Sequence, residues 1–186
     1  MDKTGYTISD QLQSDSRYIT YRAIQETDRS PITLTLLKNP YPTAQGLHRF
    51  RKEYDILKNL SHPNIIKVER LEPYQNSLAM ISEDFDGKFL NDYEKNQTPD
   101  LRTFFSIAIP LAEAIKFLHH HHVIHKNINP SNIVVRMDTK QPKLAGFSIA
   151  AELSREDEQP NTHEIVDTDL AYISPEQTGR MNRNID

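Results

Sequence analysis

His125-Lys126-Asn127-Ile128-Asn129-Pro130-Ser131-Asn132 is a polar stretch between two apolar elements. Upstream, Asp100 can cap a helix over 101–120 in which Phe104, Ile107, Leu111, Ala114 and Leu118 recur on one face. Pro110 lies inside that helix and predicts a kink, because an interior proline lacks a donor and clashes with the preceding turn, at about 3 kcal/mol. Downstream come a short strand at 133–136, a turn at 138–142 and another short strand around Leu144. The stretch is therefore a tight loop between a long helix and small strands.

Moving outward, the first third of the chain reads as strands. Residues 17–25 (RYITYRAIQ) are rich in β-branched and aromatic side chains, 26–31 carry turn chemistry, and 32–37 (ITLTLL) alternate before reaching Lys38. Beyond the breaker Asn39-Pro40-Tyr41-Pro42, Thr43 can cap a helix whose Leu47, Phe50, Tyr54 and Leu57 recur at helical spacing, with Ile56 and Leu60 widening the stripe. His62-Pro63-Asn64 stops it. Two apolar runs follow, 65–71 and 77–82, joined by the polar turn Tyr74-Gln75-Asn76. Strands, one helix, two strands and then helices with small strands predict two unequal lobes rather than a regular parallel sheet.

Composition narrows the function classes. The chain has 186 residues, 5 glycines and no cysteine, where average glycine usage is about 7%. The glycines are isolated, so neither a Gly-x-Gly-x-x-Gly turn nor a Walker-type loop is present. Without cysteine there is no disulfide framework, thiolate zinc site or cysteine nucleophile, which fits a reducing, cytoplasmic setting. A net charge of -4 gives no basic excess for nucleic acid. The most apolar stretch, 104–118, is interrupted by Pro110, Glu113 and Lys116, so no membrane span is expected.

The quoted stretch resembles the catalytic loop of protein kinases, with His-Arg-Asp at its start and an asparagine five residues beyond the aspartate. Lys38 stands where the lysine of the third kinase strand belongs, and Glu53 where its partner in the kinase C helix belongs. Lys143-Leu144-Ala145-Gly146-Phe147-Ser148 falls at the metal-binding Asp-Phe-Gly, and Ser174-Pro175-Glu176 resembles the Ala-Pro-Glu that closes the activation segment. The run 171–182 (AYISPEQTGRMN) looks most like the N-terminal serine/threonine kinase domains of cyanobacterial multidomain sensor kinases. The resemblance implies an α+β, protein-kinase-like bilobal fold: an antiparallel-sheet N-lobe with one C helix over 1–82, a hinge at 83–90, and an incomplete helical C-lobe over 91–186. It also places Glu83 at the hinge that offers backbone groups to adenine.

The departures point to a pseudokinase, in which the fold has lost its chemistry. The catalytic aspartate is Asn127, an amide that takes no proton at neutral pH, and the metal-binding aspartate is Gly146. The glycine of that second motif is Ser148, and residues 9–21, where a glycine-rich loop would lie, contain no glycine. Asn132 is left as a weak metal ligand, which argues against Mg2+ being held while leaving ATP as the implied cofactor. The alternative is a serine/threonine kinase of low activity. The chain stops ten residues after Glu176, so an incomplete C-lobe and exposed faces on the 101–120 helix are expected. A truncated gene fragment is the third reading. Partners are expected to be other protein domains or a downstream part of the same polypeptide. The run His119-His120-His121-His122 is read as helix end and scaffold, since consecutive helical residues point in different directions. Thr162, Thr168 and Ser174 lie in an acidic activation region, where added phosphate would meet like charge.

Overall fold

The computed structural model describes residues 5–94, 100–153 and 170–175. The chain divides into two units: 1–59 with 66–85, and 60–65 with 86–186.

The first unit is a five-stranded antiparallel sheet with one helix. Its strands are β1 (Tyr6–Ser14), β2 (Tyr18–Gln25), β3 (Pro31–Leu37), β4 (Val68–Tyr74) and β5 (Ser77–Glu83), in the order β1-β2-β3-β5-β4. Alternation sets the register: Ala23, Ile32, Leu34, Ala79 and Ile81 come from three neighbouring strands and form one buried cluster with Tyr6. Helix α1 (Ala44–Leu57) begins where Thr43 accepts a hydrogen bond from the Gly46 amide at 3.1 Å, and it buries Phe50, Glu53, Ile56 and Leu57. That face packs on β4 and β5. Thr43→Ala is expected to lower stability by about 1 kcal/mol in urea unfolding, since it removes one cap acceptor.

The sequence reading begins the strands at residue 17, but 6–14 also form a strand, paired with β2, with register shifts at Ile8/Asp10 and Gln11/Gln13. Only Asp15, Ser16 and Arg17 remain as the turn. The polar residues of β1 hid its strand character: most are exposed and pair through backbone alone.

The second unit is built on α3 (Leu101–His120), capped by the Asp100 side chain accepting from the Thr103 amide at 2.7 Å. β6 (Lys88–Phe89), α2 (Leu90–Glu94), β7 (Val123–Ile124), β8 (Ile133–Val135), β9 (Pro142–Leu144) and β10 (Ala151–Glu152) complete it. β6-β8-β9 form one small sheet and β7-β10 another. α3 runs on through Pro110 and buries Ile107, Ala114 and Leu118. Phe104, expected on the buried face, is 51% exposed, and it meets Phe105 edge-on within a stripe that includes Leu101 and Ile109.

Residues 60–65 leave α1 and join this second unit. Leu144 donates its amide to Asn64 O at 2.8 Å, Asn64 Nδ2 donates to Pro142 O at 2.9 Å, and Ile65 bridges Leu144 in parallel. Asn64 is buried, so these bonds satisfy polar groups that water does not reach. Among the described residues no helix is long and apolar enough to cross a membrane.

Candidate functional site

In the second unit, residues 125–132 form a loop held by its own side chains. His125 is 3% exposed and packs edge-on against Phe147, with ring centroids 4.4 Å apart. Its Nδ1 accepts the Asn127 amide at 3.2 Å, so the proton resides on Nε2, which donates to Ala145 O at 3.0 Å. Burial lowers its pKa to about 4, opposed in part by the bond to the Ala145 carbonyl. The histidine is neutral at pH 7 and ties the loop to the segment carrying Gly146.

Lys126 adopts φ 62°, the left-handed region that side-chain-bearing residues avoid at a cost of about 1–2 kcal/mol. The turn it makes delivers Asn127. Asn127 Oδ1 accepts from Asn129 Nδ2 at 2.8 Å, and Asn127 O accepts from Asn132 Nδ2 at 2.9 Å. Asn129 Oδ1 in turn accepts the Ser131 amide at 2.9 Å and caps the single 3-10 turn Pro130–Asn132. Three carboxamides therefore organise the loop. Asn129 is the residue that the sequence reading missed, although an Asn-Pro-Ser run carries a recognisable capping signal.

Gly146 has φ 74°. A Cβ built on it would collide with the Asn132 carboxamide, whose Nδ2 alone would lie 2.8 Å away. Asn132 also accepts the Ala145 amide on its backbone oxygen at 2.8 Å, which holds it there. Asn132 and Gly146, the two residues assigned to metal binding, are thus brought together, but the space a carboxylate would need at 146 is filled. Residues 127, 132 and 146 offer amide oxygens and no carboxylate. Among the described residues no group of three or more His, Asp or Glu stands where it could hold a metal ion. His119 and His120 occupy the last turn of α3, and His121 Nδ1 lies 2.9 Å from Phe117 O.

In the first unit the structure does not bring Lys38 and Glu53 into an ion pair. Lys38 follows β3, and its Nζ donates to Asp15 O at 3.0 Å. Glu53 is 4% exposed on α1, and its carboxylate takes a hydrogen bond from the Tyr18 hydroxyl. The Tyr18 ring packs on Phe50 at 5.3 Å, and burial first, then Glu53, raises its pKa well above the usual phenol value. A buried carboxylate needs donors, and the Tyr18 hydroxyl supplies one of them. Glu83 closes β5. Its amide donates to Lys67 O at 3.0 Å and its carboxylate accepts the Lys67 amide at 2.8 Å, so its backbone N–H is used within the sheet.

Ser174 and Pro175 are described just after a 3-10 turn, Leu170–Tyr172. Thr162, Thr168 and Glu176 lie outside the described residues.

Comparison with known proteins adds a family match. The profile of the protein kinase domain matches residues 19–185. Serine/threonine-protein kinase PkaA of Streptomyces coelicolor is 30% identical over 136 residues, covering 72% of this chain and 25% of that protein. A probable serine/threonine-protein kinase PknB of Lactococcus lactis is 30% identical over 143 residues, 75% of this chain and 22% of its own. A calcium/calmodulin-dependent protein kinase kinase of Caenorhabditis elegans is 30% identical over 120 residues, 63% of this chain and 21% of its own. The matched stretch thus spans about a fifth to a quarter of these relatives.

Proposed function

The chain belongs to the protein kinase domain family, and from that membership we propose a kinase-like domain that binds nucleotide and partner proteins in signal transduction while its phosphoryl transfer is impaired. Members of the family use ATP, usually with Mg2+. The observation that carries the reading is the carboxamide loop: Asn127, where a proton acceptor is needed, is an amide bonded to Asn129, and Asn132 fills the space beside Gly146.

Magnitude supports this reading over a slow kinase. Removing one preorganised electrostatic group costs roughly 100 to 1,000-fold in turnover, so two independent losses would approach a million-fold, against kinase turnover of about 1–100 per second. Groups acting as a unit lose less than that product. What the chain keeps is Lys38 in the first unit, a cation of the sign that the phosphates of ATP need.

With the full chain, ATP and Mg2+, incorporation of labelled phosphate into the protein or a generic substrate is expected to stay at the level of a buffer blank. Incorporation that vanishes with Lys38→Ala would overturn the reading in favour of a low-activity serine/threonine kinase. The proposed partners are other protein domains or a further part of the same polypeptide. The exposed stripe Leu101, Phe104, Phe105 and Ile109 on α3 is the apolar surface that suits them. The run 171–182 supports placing the domain with the cyanobacterial multidomain sensor kinases.

A further inference from the structure

One turn of the first unit engages the groups a polyphosphate would need. Asp15 donates its amide to Tyr18 O at 3.0 Å and closes the hairpin between β1 and β2. The Asp15 carboxylate then accepts two backbone amides of the same turn, from Arg17 at 2.7 Å and from Tyr18 at 2.6 Å. Successive amides converging on one point make an anion-binding nest. Here the anion is the chain's own side chain.

Lys38 is held by the same residue. Its ammonium group donates to Asp15 O at 3.0 Å and its amide to Arg17 O at 2.7 Å, so side chain and backbone both anchor it to the turn. The competing anchor for that ammonium group would be Glu53, but Tyr18 supplies the hydrogen bond to the Glu53 carboxylate and covers it with a ring packed on Phe50. Asp15 therefore takes two loop amides with its carboxylate and the lysine with its backbone oxygen, while Tyr18 donates to one side of the glutamate.

We infer that Asp15 and Tyr18 determine the charge of the ligand the first unit accepts, favouring an uncharged nucleoside over a nucleoside polyphosphate. The inference rests on the nucleotide-binding reading above. A phosphate entering this turn has to displace the carboxylate from two charge-assisted hydrogen bonds, and any carboxylate that stays nearby repels it. An adenosine carries no such penalty. Asp15 is exposed, so replacing it leaves the sheet core in place.

The test is calorimetric titration of the full chain and its variants with adenosine, ATP and tripolyphosphate in buffer containing EDTA. The wild type is expected to bind adenosine at least as tightly as ATP. Asp15→Ala is expected to raise the affinity for ATP relative to adenosine roughly tenfold, Asp15→Asn by less, and Lys38→Ala placed on Asp15→Ala to cancel the gain. A wild type that binds ATP more tightly than adenosine overturns the inference. So does adenosine binding with a preference that Asp15→Ala leaves unchanged, an outcome in which nucleotide binding itself stands. If tripolyphosphate binds Asp15→Ala but not the wild type, and adenosine binds neither, the preference for a nucleoside falls together with the nucleotide reading. If no probe binds any variant, both fall.

Discussion

Gly146→Asp, the change that would return a metal-binding carboxylate to its family position, is expected to destabilise the domain by about 2–4 kcal/mol. Two costs add. The backbone at φ 74° suits glycine, and even aspartate, which tolerates the left-handed region better than most residues, loses about 1 kcal/mol there. The new Cβ then falls on the Asn132 carboxamide, and forcing extra atoms into a packed site costs about 1–3 kcal/mol. For a chain of this length each kcal/mol lowers the melting temperature by roughly 2–4 °C, so a fall of about 4–16 °C is expected by calorimetry. Asn132→Gly in the same chain is expected to recover most of the steric part, a coupling that a double-mutant cycle reads directly. If Gly146→Asp melts with the wild type, Asn132 moves aside freely and the filled-site account is wrong. The same collision means that Asn127→Asp with Gly146→Asp is not a clean reconstruction of a kinase. Its second substitution displaces the one remaining amide ligand.

Acid is expected to weaken the fold by about 3 kcal/mol between pH 6.5 and pH 4 through His125 alone. The buried ring has a pKa of about 4, against 6.5 for the free side chain. Between those values the unfolded chain binds a proton that the folded chain refuses. Stability from this residue is complete above pH 6.5, falls as pH drops and is fully lost below about pH 4. His62, which stacks on Phe117, is shifted in the same direction by burial and adds to the slope. Urea unfolding across this range measures the effect. His125→Gln, which retains a donor for Ala145 but does not titrate, is expected to be less stable at pH 7 and to flatten the profile. An unchanged slope in that variant would place the acid sensitivity elsewhere.

The strongest sequence signals proved to be those with a local cause. Thr43 and Asp100 cap their helices because an oxygen three residues before a free amide is a short-range matter. The β2-β3 hairpin was legible from alternation, and the order of loop motifs from spacing. β1 was less legible because its pairing is carried by backbone under polar side chains, and Phe104 because helical periodicity alone does not say which face finds a neighbour. The site followed the same division. Positions 125–132 and 146 were found by motif, while the exchange of partners that gives Glu53 to Tyr18 and Lys38 to Asp15 depends on contacts across 35 and 23 positions of sequence. No periodicity encodes such a choice. It is settled by which donor reaches a buried carboxylate at least cost.

The path of 60–65 has a consequence for anyone dividing the molecule. Because the chain passes from the first unit to the second, back, and across again, it has no single cleavage point that releases either unit whole. A fragment beginning at Asp86 would carry β9 without Asn64, stranding the Leu144 amide and the Pro142 carbonyl at an interior position. Two pieces produced separately would recover that seam only by associating. The units are interleaved along the chain even where they are distinct as packed bodies, and a functional exchange of either with a relative has to transplant two segments rather than one.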